Sequence, residues 1–120
     1  MHHLLLVEDN PDILGLLDGA LEIAGYRVST AGTVEAATRL LDQGDVDMLI
    51  TDIVLPDGNG TSLAKQAVAR GIPSLVITGN PHWILALADA DLDYLHKPFR
   101  TWQILDRIRV RLRPVAQAGS

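Results

Sequence analysis

Short, unbroken apolar runs are the feature that most constrains this chain. Leu4-Leu5-Leu6-Val7 is one; Met48-Leu49-Ile50 and Leu75-Val76-Ile77 are others. Runs without polar alternation suit strands buried on both faces, as in a parallel sheet. Between them, apolar residues recur at helical spacing. After the first run Asn10 can cap a helix and Pro11 suits its first position. Ile13, Leu17, Ala20, Leu21 and Ala24 then share a face, and Gly25 stops the helix.

The pattern repeats along the chain. Residues 26–30 read as a second strand, and Thr33 caps a helix carrying Ala36, Ala37, Leu40 and Leu41 that ends near Gly44. Residues 46–51 form the third strand, and 61–70 a helix with Leu63, Ala64, Ala67 and Val68 inward and Gly71 after it. Residues 72–78 form the fourth strand, with Pro73 near its start, where a lost donor is tolerable. Residues 81–88 leave room for two helical turns, 92–95 form the last strand, and Thr101 caps the last helix. From Arg107 to Arg113 the sequence alternates with strand period, yet Ile104, Ile108 and Leu112 also lie at helical spacing, with Trp102 and Leu105 extending that face. Length and the preceding cap favour helix. The tail 114–120 is expected to be frayed.

Five strands alternating with five helices predict an α/β fold, a doubly wound five-stranded parallel sheet with helices on both faces. The expected order is 2-1-3-4-5, the flavodoxin-like arrangement, in a single domain over residues 1–120. No apolar run approaches the roughly 18 residues that span a bilayer, and no basic segment precedes the apolar start, so neither a membrane span nor a signal peptide is read. Cysteine is absent, which excludes disulfides and thiolate metal sites and makes a reducing, cytoplasmic setting the default. A net charge of −5 argues against direct nucleic-acid binding; the arginines between Arg100 and Arg113 read as a solvated helix face. His2, His3, His82 and His96 lack ligand spacing, and His2 and His3 read as exposed at the terminus. Gly58-Asn59-Gly60 reads as a turn; a dinucleotide loop would need a third glycine where Leu63 stands.

In such sheets ligands bind beyond the carboxyl ends of the strands. There the first strand ends in Glu8-Asp9, the third in Asp52, the fourth in Thr78-Gly79, and the fifth runs into Lys97-Pro98. In the expected order three acids converge, and two unit charges about 4 Å apart repel by ~4 kcal/mol at an effective dielectric of about 20. A cation must compensate. Mg²⁺ fits an all-oxygen site, while a lysine and a threonine hydroxyl on the same rim suit the oxygens of a phosphoryl group. Asp52 is then a candidate nucleophile.

These motifs, in this order, resemble the receiver domain of two-component response regulators, in particular the chemotaxis-regulator-like receivers. The matching residues are Glu8-Asp9, then Asp52 with Leu55-Pro56 and Gly60, then Thr78-Gly79, then Lys97-Pro98-Phe99. The resemblance implies a bacterial signalling phosphoprotein that is not an enzyme apart from catalysing its own phosphorylation and dephosphorylation. Asp52 would take a phosphoryl group from a histidine kinase or histidine phosphotransfer protein, forming an aspartyl phosphate. Asp9, Asp52 and the backbone carbonyl of Val54 would hold Mg²⁺, with Glu8 acting through water. Lys97 would pair with phosphoryl oxygens, Thr78 would swing toward them, and Tyr94 would rotate inward. The output surface would lie around the fourth helix, fifth strand and fifth helix; its partner is open, as are a dimer and attachment to a longer protein.

Two alternatives stand beside this reading. A magnesium-dependent aspartyl phosphatase would want a second acid two residues after the nucleophile, where Val54 stands. A phosphorylation-independent pseudo-receiver is disfavoured by intact Asp9, Asp52, Thr78 and Lys97. One departure from the family is plain: the stretch between Thr78 and Tyr94 is roughly a helical turn short, and the loss falls on the fourth helix. Either a rearranged output surface or a helix that orders on partner binding is expected. By the resemblance, Val54 and Asn80 stand at the positions that tune phosphoryl lifetime in receivers; an apolar and an amide residue there are expected to organise water only weakly, hence slow self-dephosphorylation.

Overall fold

A computed structural model describes residues 1–90 and 92–112; the frayed tail expected at 114–120 lies outside the described residues. β1 (His3–Val7), α1 (Pro11–Ile23), β2 (Arg27–Ala31), α2 (Val34–Asp42) and β3 (Met48–Asp52) alternate as expected. A small hairpin follows, β4 (Val54–Leu55) and β5 (Gly58–Asn59), and then α3 (Gly60–Ala69) and β6 (Ser74–Thr78). A 3₁₀ turn (Pro81–Trp83), α4 (Ile84–Asp89), β7 (Asp93–His96) and α5 (Thr101–Arg111) complete the described chain. The main sheet is parallel with order β2-β1-β3-β6-β7, the flavodoxin-like order 2-1-3-4-5 once the hairpin is set aside.

The continuous apolar runs have the cause inferred for them. Alternate residues of one strand enter two different cores. Leu5, Val7, Leu49 and Val76 pack with Ala37 and Leu41 of α2, Leu63, Ala64 and Ala67 of α3, and Leu87 of α4. Leu4, Leu6, Met48, Ile50, Leu75 and Ile77 pack on the other face with Leu21 of α1 and Ile104 and Ile108 of α5. Each such side chain contributes on the order of 1.5–3 kcal/mol by leaving water, so neither face can be given up.

Several local expectations are corrected. Thr101 is the first helical residue of α5 and not its cap; the flanking residue is Arg100, extended at φ −90, ψ 153, whose N–H donates to the Gln103 side chain at 2.7 Å. The α5 helix overrides the strand-like alternation of its arginines, but Trp102 is 62% exposed and does not extend the buried face. It precedes Ile104 by two residues, about 200° of helical rotation. Ala24 follows the end of α1 and is exposed, and Val68 lies on the outer side of α3 at 51% exposure. α3 starts at Gly60, capped by Asn59, which accepts from the Thr61 N–H at 2.7 Å. Gly58-Asn59 is the return strand of the hairpin; the turn itself is Pro56-Asp57.

His3 is also corrected: it is buried at the amino end of the sheet. Its Nδ1–H donates to the Asp45 carbonyl at 2.6 Å and Nε2 meets Ser29 Oγ at 2.6 Å. Its N–H donates to Asp47 Oδ2 at 2.7 Å, Arg27 pairs with Asp45, and His2 lies 3.8 Å from Asp47. Two of the C-terminal arginines are likewise engaged, since Arg107 (2.6 Å) and Arg111 (3.6 Å) flank Asp93. Among the described residues no helix is long and apolar enough to cross a membrane.

Gly60 is the tightest point below the carboxyl edge. Its N–H donates to the Ile53 carbonyl at 2.7 Å, and a Cβ there would overlap the Asp52 carbonyl oxygen and lie 2.7 Å from Thr51 Oγ1. Those obstacles are backbone and a fully buried side chain, which cannot yield cheaply. Gly60→Ala is expected to lose about 3 kcal/mol of stability by urea denaturation, the upper end of overpacking costs. A loss below about 0.5 kcal/mol, the usual range of a surface change, would contradict this packing.

Candidate functional site

Parallel register brings the candidate residues to one edge. Val7 pairs with Thr51, so Glu8 at the end of β1 and Asp52 at the end of β3 are neighbours. Asp52 pairs with Ile77 and Thr78 with His96, which puts Thr78 and Lys97 one step further along adjacent strands. The Lys97 N–H donates to the Thr78 carbonyl at 2.8 Å, extending the pairing past the strand ends.

Carboxylate oxygens of Glu8, Asp9 and Asp52 lie within 4.8 Å of one another. Lys97 Nζ donates to Asp52 Oδ2 at 3.2 Å and lies 3.6 Å from Glu8 Oε1. The stem of Lys97 passes over Gly79, where an added Cβ would be in ordinary contact with Cδ at 3.7 Å. Backbone donors fix the acids: the Asp9 N–H donates to Glu8 Oε2 at 2.9 Å, and the Ile53 N–H to Asp52 Oδ1 at 2.8 Å. The Thr78 hydroxyl donates to the Asn80 carbonyl and accepts from the Asn80 N–H, both at 3.1 Å. Asn80 Oδ1 in turn accepts from the His82 N–H at 2.9 Å, capping the 3₁₀ turn.

The family model described as "Response regulator receiver domain" matches residues 4–109. The chain belongs to the response regulator receiver domain family. The response regulator SaeR of Staphylococcus aureus is 33% identical over 113 residues, covering 90% of this chain and 49% of SaeR. The chain thus spans about half the length of the curated relatives it matches. TrrA of Thermotoga maritima, solved in complex with Mg²⁺-BeF, superposes with a TM-score of 0.86 at 26% identity, over 93% of this chain and 100% of that one. The receiver domain of a Pseudomonas aeruginosa sensor histidine kinase, with magnesium in its active-site cleft, gives 0.82 at 27% identity, over 92% of this chain and 96% of its own.

In this receiver the expected site residues divide into two groups. Glu8, Asp9, Asp52 and Lys97 meet directly at the sheet edge. Thr78 stands beside them with its hydroxyl turned to Asn80. Val54 lies in β4 with an exposed side chain. Tyr94 is half-buried against the α2–α3–α4 core, and its carbonyl accepts from Arg107 Nη1 at 2.9 Å. Sequence patterning missed Asp57. Its two oxygens accept from the Val34 N–H at 2.7 Å and the Glu35 N–H at 3.0 Å, in the first turn of α2. Nothing in Pro56-Asp57-Gly58 signals a partner so far away in the chain.

Charge is incompletely balanced here. Burial, and then the Asp52 charge, push the Glu8 carboxyl above its ordinary value against the opposing pull of Lys97. A carboxyl whose pKa is raised by folding stabilises the fold while protonated, fully so below the unfolded value, and that contribution is lost as pH rises through the raised one. Glu8→Gln is therefore expected to melt higher than the parent chain at neutral pH without divalent metal. A gain on the order of 4 °C corresponds to about 1 kcal/mol relieved. The difference should close as pH falls below about 4. Thermal melts across pH in chelator check this, and a variant melting lower at neutral pH would contradict it.

Proposed function

We propose that this chain is one receiver domain over residues 1–120 and works as a phosphorylation-dependent switch, with Asp52 taking a phosphoryl group from a phosphohistidine on a histidine kinase or histidine phosphotransfer protein. The observation that carries the reading is the meeting of three carboxylates with Lys97, whose ammonium lies 3.2 Å from Asp52 and 3.6 Å from Glu8. A purely structural rim would gain nothing from crowding like charges around a partly buried acid.

The donor set fits Mg²⁺: the candidate ligands are hard carboxylate oxygens close enough to share one ion. Asp9, Asp52 and the Val54 carbonyl would hold it, with Glu8 acting through water. When bound it supplies positive charge against the acids and the incoming phosphoryl oxygens. The rest falls to the protein. The Asp52 carboxylate attacks phosphorus as the phosphorus–nitrogen bond to histidine breaks; the imidazole leaves with the bonding pair. The Ile53 N–H keeps the Asp52 carboxylate in one orientation. Lys97 is already at the position where it can pair with a phosphoryl oxygen.

The phosphoryl group carries about −1.5 to −2 charges and brings three new acceptors. Since the Asp52 carboxylate gives up its own charge in the new bond, the rim gains up to about one negative charge. Thr78 answers by leaving Asn80 and donating to a phosphoryl oxygen, which frees the turn that Asn80 caps; Tyr94 then repacks. The readout is the surface of α4, β7 and α5. For the donor, an apolar groove of about 720 Å³ runs beside the site between α1 and the segment after β7, lined by Ile13, Leu16, Leu17 and Phe99 with Lys97 at its edge. A cytoplasmic setting accords with this role.

Incubation with a small phosphodonor and Mg²⁺ should add the mass of one phosphoryl group to the intact chain, and Asp52→Asn should abolish the gain. No gain, or a gain that survives Asp52→Asn, would defeat the proposal. Val54 is apolar and Asn80 Oδ1 is occupied by the His82 N–H, so neither activates water strongly. A phosphoryl half-life of many minutes is expected by the same mass measurement, and one of seconds would contradict it.

A further inference from the structure

Asp57 does something the receiver reading leaves unassigned. It stands at the tip of the β4–β5 hairpin, the segment that follows Asp52 and contains Val54. One oxygen accepts from the Val34 N–H at 2.7 Å and the other from the Glu35 N–H at 3.0 Å, so both are used on the first turn of α2. The helix already has its own cap, since Thr33 Oγ1 accepts from the Ala36 N–H at 3.1 Å. Helix N-termini have free N–H groups that water satisfies when exposed. An acid reaching across from another loop therefore does more for the loop than for the helix.

The contacts around it make a frame. At its base the hairpin is anchored by the Gly60 N–H to the Ile53 carbonyl at 2.7 Å. Near its tip Gly58 lies against α2, where an added Cβ would stand 3.2 Å from Val34 Cγ2. The lead-in to α2 rests on the acidic pair: the Glu8 N–H donates to the Ala31 carbonyl at 3.0 Å, and a Cβ on Gly32 would be 3.8 Å from the Glu8 carbonyl oxygen. Asp57 thus joins the loop bearing the Val54 carbonyl to the helix whose lead-in rests on Glu8 and Asp9.

We propose that Asp57 is a positioning residue for the metal site, clamping the β4–β5 hairpin to α2 so that the Val54 carbonyl keeps its place relative to Asp52, Glu8 and Asp9. The inference rests on the phosphoswitch reading and its assignment of Mg²⁺ to these residues. Partners that orient metal ligands from outside the first coordination layer change metal affinity by roughly 10–100-fold when removed.

The test is calorimetric titration of Mg²⁺ into the intact chain and two variants, with melting temperatures measured in parallel. Asp57→Ala should weaken Mg²⁺ binding about tenfold, and phosphorylation from a small phosphodonor should recover its rate at saturating Mg²⁺. Thr33→Ala removes a cap from the same helix without touching the hairpin. It should lower the melting temperature while leaving Mg²⁺ affinity within about twofold, a margin well inside the ligand-orienting effect. Asp57→Asn keeps one acceptor and should fall between Asp57→Ala and the parent. Unchanged affinity in Asp57→Ala, or an equal loss in Thr33→Ala, overturns the clamp alone. A parent chain that binds no Mg²⁺ overturns the phosphoswitch reading and the clamp with it.

Discussion

Like-charge crowding at the carboxyl edge of the sheet is the constraint around which the rest is arranged. Parallel pairing of β1 with β3 leaves no freedom in the matter: Val7 opposite Thr51 makes Glu8 and Asp52 neighbours. Glu8 is 5% exposed, so water cannot screen it well. Lys97 answers two of the acids, Asp52 from two strands away and Glu8 from three. The backbone N–H groups of Asp9 and Ile53 supply further compensation at a fixed geometry. A site of this kind is held by the two cores beneath it, because its own charges oppose it.

The amino end of the same sheet shows what a balanced rim looks like. Asp93 has Arg107 and Arg111 on it, and Asp45 has Arg27, which with the Arg27 hydrogen bond holds the Asp45 carboxyl below its ordinary range. Buried His3 satisfies both ring nitrogens with oxygen partners. One chain therefore builds a rim with a cation for each of these acids and another that is short of cations. The contrast argues that the deficit at Glu8, Asp9 and Asp52 is not a general failure to pair charges. Within the sheet it falls at the edge where parallel sheets bind ligands.

Sequence periodicity carried the fold because each strand feeds two cores and each helix feeds one. The unbroken runs at residues 4–7, 48–50 and 75–77 and the helical spacing of Ile104 and Ile108 report those environments directly. The acids and Lys97 were legible because sheet order turns strand ends into neighbours. What escaped depends on contacts between distant segments. His3 is buried through Asp45 and Ser29, and Asp57 caps a helix that starts at Val34. Trp102 and Val68 escaped for another reason: apolar character does not say which side of a helix the sheet will cover. Thr101 was misread because a threonine before a helix suggests a cap, whereas extended Arg100 and the Gln103 side chain perform that office.

The short fourth helix acquires a physical connection to the acidic rim through Thr78. Its hydroxyl is bonded to both the N–H and the carbonyl of Asn80, and the Asn80 side chain holds the first turn beyond it. Pro81–Trp83 is 3₁₀ and α4 proper has only six residues, so the capped turn is a large share of this element. A helix that short is marginal by itself and depends on its packing and its ends. Leu87 and the partly buried Trp83 provide the packing; Asn80 provides the end. Drawing the Thr78 hydroxyl away removes partners from Asn80 at the point where α4 is least able to lose them. In a longer fourth helix the same loss would be diluted over more turns. The short α4 is therefore tied closely to one hydroxyl at the acidic rim.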